Sequence, residues 1–144
     1  MLYSQKAPEG IIYRKEGDTL KPEGSAPALQ AIRGEVRFIY ITEGKPEYTL
    51  YLTLADSTLI GIALSDADTD AYEVISALGK AAEAGIDFLR PVSIAAYPEG
   101  YEVTAYDVDT PRILPAAPMP SEAIRRASVR YYAEAVNKAV PPTF

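Results

Sequence analysis

The stretch EVRFIYITEGKPEYTLYLTLADSTLIGIAL, residues 35–64, decides the fold because apolar and polar residues alternate along it. Alternation with a period of two predicts β-strands that bury one face. Three such runs are separated by turn-forming residues, and they cover residues 35–42, 47–55 and 58–64. In the second run Leu50, Leu52 and Leu54 share one face, while threonine and tyrosine occupy the other. The stretch therefore predicts three consecutive strands joined by tight turns.

After this stretch the apolar residues change from a period of two to helical spacing. One apolar stripe is formed by Ala71, Val74, Ile75, Leu78 and Ala82. Ser65 or Asp66 is the expected N-cap, and Gly85 is the expected C-terminal stop. Two further strands are predicted at residues 91–97 and 101–108, on either side of a Pro-Glu-Gly turn. The predicted order is β-β-β-α-β-β.

The two ends of the chain are predicted to lie outside this domain, which covers residues 31–110. Prolines and glycines punctuate residues 1–30, so we expect a loosely ordered segment in which only residues 11–13 suggest a short strand or a docked segment. Four prolines between Thr110 and Pro120 predict a stiff linker over residues 111–120. Ser121 is then expected to cap a second helix, and this helix and an extended tail make up residues 121–144.

The composition excludes several kinds of active site. The chain of 144 residues has no cysteine and no histidine, which excludes disulfides, thiolate metal sites and a Ser-His-Asp relay. Asp66, Asp68 and Asp70 are spaced like the start of a calcium-binding loop. Ala71 and Ala77, however, stand where that loop needs glycine and glutamate. We therefore expect a non-catalytic protein with no metal and no cofactor.

The charge distribution is uneven. A net charge of −6 opposes general adhesion to a polyanion, because such adhesion depends on lysine and arginine. Residues 1–46 nevertheless hold seven cations and six acids, which leaves room for a locally basic groove. No apolar run approaches the ~18 residues of a membrane span, and the N-terminus lacks the apolar core of a signal peptide. We expect a cytoplasmic protein with no membrane partner.

Amide side chains are scarce in this chain. It contains one asparagine, Asn137, and two glutamines, against 12 prolines. Such a composition is typical of hyperthermophiles, and sampling in a short, alanine-rich chain explains it equally well. Both interpretations stay open.

The order and polarity of the predicted elements resemble the OB-fold superfamily. The resemblance is carried by Gly34, the strand of residues 48–56, the helix of residues 66–85 and the hairpin of residues 91–108. It includes no sequence signature and covers about half of the chain. It implies a mainly β fold with α, namely a five-stranded OB-like barrel followed by a C-terminal helix. Members of the superfamily bind single-stranded nucleic acid, and we expect DNA rather than RNA.

The resemblance places the ligand on strands two and three and the loops beside them, where bases stack on aromatic rings. The residues expected to bind nucleic acid are Arg33, Arg37, Lys45, Tyr48, Tyr51, Thr53, Tyr97 and Tyr101. In this hypothesis the tyrosines stack on bases and the cations neutralise phosphates. Cross-strand packing is the alternative role of the tyrosines, because tyrosine is a strong strand former.

An acidic protein-interaction module is the competing interpretation. Small acidic dimers that chaperone secreted effectors also order three strands, a helix, two strands and a closing helix. Those proteins begin with a helix, which residues 1–30 do not predict. In this interpretation Ile39, Ile41 and Leu59 form a dimer or partner surface. The C-terminal helix or the tail would offer a further contact for a homodimer or another protein.

Overall fold

The computed structural model describes residues 10–42, 47–65, 69–107 and 110–140. Within them the chain forms eight strands and two helices. In chain order these are β1 (Ile11–Glu16), β2 (Thr19–Pro22), β3 (Ala31–Thr42), β4 (Glu47–Thr53), β5 (Leu59–Ser65), α1 (Thr69–Glu83), β6 (Val92–Tyr97), β7 (Gly100–Asp107), β8 (Thr110–Ile113) and α2 (Glu122–Ala139). The expected turn at residues 43–46, the expected cap Asp66 and the tail at residues 141–144 lie outside the described residues.

The eight strands form one curled, open sheet with the order β2-β1-β5-β4-β3-β6-β7-β8. β1 and β5 are parallel, and the other neighbours are antiparallel. The twelve-residue strand β3 serves both halves of the sheet. Residues 31–34 of β3 pair with β6, and residues 35–42 pair with β4. The backbone of Leu20 in β2 also pairs with that of Leu29, just before β3.

The fold is mainly β with two helices, as the strand alternation and the helical spacing together predict. The predicted β-β-β-α-β-β order corresponds to β3, β4, β5, α1, β6 and β7. The expected five-stranded barrel is wrong, because three further strands extend the sheet and leave it a half-barrel. Strands β1 and β2 come from residues 1–30, which we expected to be loosely ordered beyond a short strand at residues 11–13. Strand β8 occupies the start of the expected linker.

The extra hairpin escapes prediction because its stability comes from distant residues. Gly17 has a φ of 64° and forms the turn between β1 and β2, a conformation that suits glycine. A glycine that suggested disorder therefore joins two strands. β1 is held by parallel pairing to β5, in which Tyr13 lies opposite Ile62. No local pattern indicates such a contact between distant parts of the chain.

The helices cover one face of the sheet, here called the inner face, and the hydrophobic core lies between them. Ile39, Leu50 and Ile62 are inner residues of β3, β4 and β5 and are completely buried. Val74 and Leu78 face them from α1 and are buried to the same extent. Burying each of these side chains contributes roughly 1.5–3 kcal/mol. The opposite face of the sheet, here called the outer face, is the one that the helices leave uncovered.

Asn137 of α2 hydrogen-bonds to the β3 backbone beyond the point where its pairing with β6 ends. Its Oδ1 accepts a hydrogen bond from the Ile39 N–H at 2.7 Å, and its Nδ2 donates to the Ile39 carbonyl at 3.0 Å. The side-chain amide thus pairs with β3 as a neighbouring strand would. Asn137 is buried, so these backbone groups have no water to replace the amide.

The proline-rich segment of residues 114–120, here called the strap, is fastened to α1. The Ala117 N–H donates to Ser76 Oγ at 3.1 Å, and Tyr72 Oη donates to the Pro118 carbonyl at 3.0 Å. Ser76 is completely buried, and this bond gives its hydroxyl a partner. The strap therefore delivers α2 to a defined position beside α1 and β3.

We predict that Asn137→Ala destabilises the protein by about 2–4 kcal/mol. The change leaves a buried N–H and a buried carbonyl of Ile39 without partners, at a cost of roughly 1–3 kcal/mol each, less a small gain in helix propensity. Urea unfolding of the variant measures the loss. Lys138→Ala, at the exposed neighbouring position, is the control and should change stability by less than about 0.5 kcal/mol. Equal stability of the two variants would contradict the role of Asn137.

The two helices approach most closely at Gly79. A Cβ atom there would lie 2.5 Å from Cβ and Cδ1 of Tyr132, far inside van der Waals contact. The Tyr132 ring also packs edge-on against Tyr72, with centroids 6.4 Å apart. Glycine at position 79 therefore allows α2 to lie directly on the α1 backbone.

We predict that Gly79→Ala destabilises the protein, although alanine is the better helix former by about 1 kcal/mol. Forcing the helices apart costs roughly 1–3 kcal/mol and disturbs packing along the whole contact, so the clash outweighs the propensity. Thermal unfolding followed by circular dichroism measures the effect. Lys80→Ala, at the next and exposed position of α1, should leave the melting temperature nearly unchanged. A higher melting temperature for Gly79→Ala would show that the helices are not in close contact.

Candidate nucleic-acid interface

The outer face of the sheet carries four of the residues expected to bind nucleic acid. β3 contributes Arg33 and Arg37, and β4 contributes Tyr51 and Thr53. Strand alternation explains this grouping, because the residues between them in β4 belong to the inner core. The structure thus brings half of the expected set to one surface.

Arg37 is the extra residue of a β-bulge. Val36 lies opposite Leu52 and Phe38 lies opposite Tyr51, so Arg37 has no partner position on β4. Its Nε donates to Thr53 Oγ1 at 2.7 Å. The bulge therefore directs the guanidinium along the outer face and fixes one of its N–H groups.

Tyr51 is on the outer face but is only 2% exposed. Its ring stacks on Phe38 with centroids 5.1 Å apart and planes inclined by 24°. Gly61 of β5 makes room beside it, because a Cβ there would lie 3.1 Å from Tyr51 Cε1 and 2.8 Å from both Thr49 and Ile12. The structure corrects the expectation of an exposed stacking ring: Tyr51 is part of a small packed cluster on the outer face.

Tyr48 and Tyr101 are buried on the inner face and belong to the core. Tyr48 is three residues before Tyr51, and positions an odd number apart in a strand face opposite sides. Lys15 Nζ lies 5.9 Å from the centroid of the Tyr101 ring and 3.7 Å from Asp70 Oδ2. The rings of Tyr48 and Tyr101 are therefore buried, and not exposed as stacking on bases would require.

Tyr97 and Lys45 complete the expected set. Tyr97 ends β6 and is 36% exposed. It borders a hollow of about 310 Å³ whose charged residues are Glu73, Glu99 and Glu102. This acidic surrounding repels phosphate groups. Lys45 lies outside the described residues.

Tyr106 of β7 is an aromatic residue of this surface that sequence reasoning missed. The guanidinium carbon of Arg33 lies 3.7 Å from the centroid of the Tyr106 ring, which is a close cation–π contact. β6 runs between the two strands, and its residue opposite Arg33 is the small Ser93, which lets the arginine side chain reach across. Alternation along β7 predicts that Tyr106 lies on the outer face. Its contact with Arg33 follows only from the strand order β3-β6-β7, which the sequence does not reveal.

Most of the cations elsewhere in the described chain are neutralised by nearby acids. The ion pairs are Arg14 with Glu23 and Glu47, Lys15 with Asp70, Lys21 with Glu16, Arg90 with Asp87, Arg126 with Glu122 and Arg130 with Glu134. The hydrogen bond to Glu47 is the main reason that the pKa of Arg14 is raised. Arg33 and Arg37 make no ion pair with any of the residues that the structure describes. Their positive charge is therefore not offset by an ion pair with a described acid.

Comparison with protein-family models, curated proteins and solved structures finds no match for this chain. Over residues 10–42, 47–65, 69–107 and 110–140, no three histidine, cysteine, aspartate or glutamate side chains are grouped to hold a metal ion. In the same ranges neither helix is long and apolar enough to span a membrane. Any assignment of function must therefore come from the surface itself.

We predict that Tyr51 ionises only above the usual range of tyrosine. Burial raises the pKa of its phenol, and the nearby Tyr40 adds to the effect. Because the unfolded chain ionises at the ordinary value near pH 10, the protonated Tyr51 stabilises the fold below that pH, and this contribution is lost as the pH rises further. The difference in phenolate absorbance between the wild type and Tyr51→Phe reports this ionisation. A difference curve with its midpoint at or below pH 10 would contradict the burial of Tyr51.

Proposed function

We propose that this protein binds single-stranded nucleic acid, DNA rather than RNA, without catalysing a reaction on it. The contact surface is the outer face around Arg33, Arg37 and Tyr106. The observation that carries the proposal is the Arg33 guanidinium held 3.7 Å from the centre of the Tyr106 ring, on the sheet face opposite the helices. This differs from the surface expected from sequence, in which Tyr48 and Tyr51 supplied the stacking rings.

The Arg33–Tyr106 pair suits a flexible polyanion for two physical reasons. A guanidinium is planar, so a base can stack on the side that faces away from the tyrosine ring. The same group donates hydrogen bonds to phosphate oxygens in a bidentate manner. The cation–π contact holds the side chain in place before binding, which lowers the entropy lost when a ligand orders it. Stacking of this kind contributes about 1–3 kcal/mol per base.

The charges of the protein set the expected strength of nucleic-acid binding and its dependence on salt. The net charge of −6 acts against a polyanion at long range, so binding should be weak and should require low salt. Each phosphate neutralised on a single strand contributes a slope of about −0.7 in log K against log salt. Two arginines on the outer face therefore predict a slope between about −0.7 and −1.4.

A protein-interaction module is the second candidate, and exposed apolar residues of α2 favour it. Ile124 and Tyr131 lie seven residues apart on one side of the helix and are 60% and 57% exposed. The dimer surface that the sequence predicts around Ile39 and Ile41 does not support this second candidate. Ile39 is completely buried, and Ile41 packs against the core. Light scattering distinguishes the candidates: a homodimer that Ile124→Ser dissociates, with no affinity for oligonucleotides, would favour the module.

We predict that Tyr106→Ala and Arg33→Ala each weaken binding of a labelled single-stranded DNA oligonucleotide about ten-fold at low salt. Fluorescence anisotropy measures the affinity. Arg33→Ala should also reduce the salt slope by about 0.7, because it removes one phosphate contact, whereas Tyr106→Phe should leave the slope unchanged.

The matched control for this titration is Arg126→Ala. It removes an exposed cation of α2, on the opposite side of the sheet, and should change the affinity less than two-fold. Circular dichroism establishes that each variant is folded. The proposal is refuted if the wild type does not bind at low salt, or if Arg126→Ala weakens binding as much as Arg33→Ala.

A further inference from the structure

A groove of about 530 Å³ lies between α1 and the β7–β8 edge of the sheet. α1 contributes its C-terminal half, and the loop between α1 and β6 forms one end. Its apolar lining includes Ala77, Ala81, Ile86, Val92, Ala105 and Leu114. A volume of this size is typical of sites that bind small organic molecules.

Three cations line this groove, and each comes from a different element. Lys80 lies on α1, Arg90 in the loop that follows it, and Arg112 on β8. All three are exposed at the rim. Lys80 and Arg112 make no ion pair with the described residues, and Arg90 Nε lies 3.9 Å from Asp87 Oδ2. Asp87 is the only acid among the lining residues that the structure describes, so these residues carry two net positive charges in a chain whose net charge is −6.

We propose that this groove binds a small organic phosphate, with the phosphate among Lys80, Arg90 and Arg112 and the organic part on the apolar floor. A phosphate monoester carries nearly two negative charges at neutral pH, which matches the excess charge of the lining. Guanidinium groups donate paired hydrogen bonds to phosphate oxygens, and lysine adds a point charge. The floor then removes apolar or planar surface of the ligand from water.

A second hollow, of about 310 Å³, shows why charge, and not shape alone, supports this proposal. The hollow beside Tyr97 is also lined by apolar residues, including Ile113 and Leu114. Its charged residues are Glu73, Glu99 and Glu102, so it disfavours any anion. The two hollows share part of the β8 end and differ in the sign of their charge.

The site is separate from the proposed nucleic-acid surface, although Tyr106 borders both. Arg33 stacks on Tyr106 from the outer face and does not line the groove. Lys80 and Arg90 lie on the helix side, away from Arg33 and Arg37. Substitutions at these two sets of cations therefore test the two proposals independently.

The experiment titrates the full chain with adenosine monophosphate, adenosine and inorganic phosphate by isothermal calorimetry. We expect the monophosphate to bind and adenosine to bind at least ten-fold more weakly. Added salt should lower the affinity for the monophosphate. Lys80→Gln and Arg112→Gln should each lower the affinity for the monophosphate about ten-fold, because each removes a hydrogen bond to a charged group. Lys138→Gln, an exposed cation of α2, should leave the affinity within two-fold.

A second variant tests the same site without removing a cation. Ala84 is exposed and lines the groove, so Ala84→Glu places a negative charge inside it and should abolish monophosphate binding. Arg33→Ala should leave monophosphate binding within two-fold, whatever its effect on oligonucleotides. The proposal is overturned by absence of saturable binding, by equal binding of adenosine, or by full affinity in the Lys80→Gln and Ala84→Glu variants.

Discussion

The buried backbone of β3 needs hydrogen-bond partners on the edge that β6 leaves, and one residue of α2 supplies them for Ile39. One edge pairs with β4, and the other pairs first with β6 and then with the side-chain amide of Asn137. An amide can replace a strand in this way because it carries one acceptor and one donor in nearly peptide geometry. The bond holds α2 against the sheet, and α2 in turn holds the strap and α1 in place.

The same division of β3 creates the outer surface. Because β6 leaves β3 after four residues, the two halves of the sheet diverge, and Arg33 and Arg37 of one strand serve different halves. The bulge places Arg37 beside Thr53, and the small Ser93 lets Arg33 reach Tyr106 on β7. Arg33 therefore meets β7 at Tyr106, a residue that also borders the groove lined by Lys80 and Arg112. The two proposed sites are neighbours for this reason, although their cations come from different elements.

The sequence predicts the elements that are marked by a local periodicity of apolar residues. It does not predict the strands and contacts that depend on pairing between distant parts of the chain. The alternation of residues 35–64 and the helical stripe led to β3, β4, β5 and α1 with small errors at their ends. The parallel contact between β1 and β5 leaves no local trace, so the sequence indicates only part of β1 and none of β2. Tyr48 was assigned to a binding surface although its spacing from Tyr51 already puts it on the opposite face. Tyr106 was overlooked because its partner, Arg33, is two strands away.

The sequence by itself determined the mainly β class, the two helices, the order of the central six elements and the exclusion of cysteine and histidine chemistry. These features depend on composition and on periodicities of a few residues, which are set before the chain folds. Only the tertiary structure decided the open eight-stranded sheet, the burial of Tyr51 and the meeting of Arg33 with Tyr106. These depend on which strands become neighbours, and that is settled by the free energy of the packed molecule as a whole and not by any single segment.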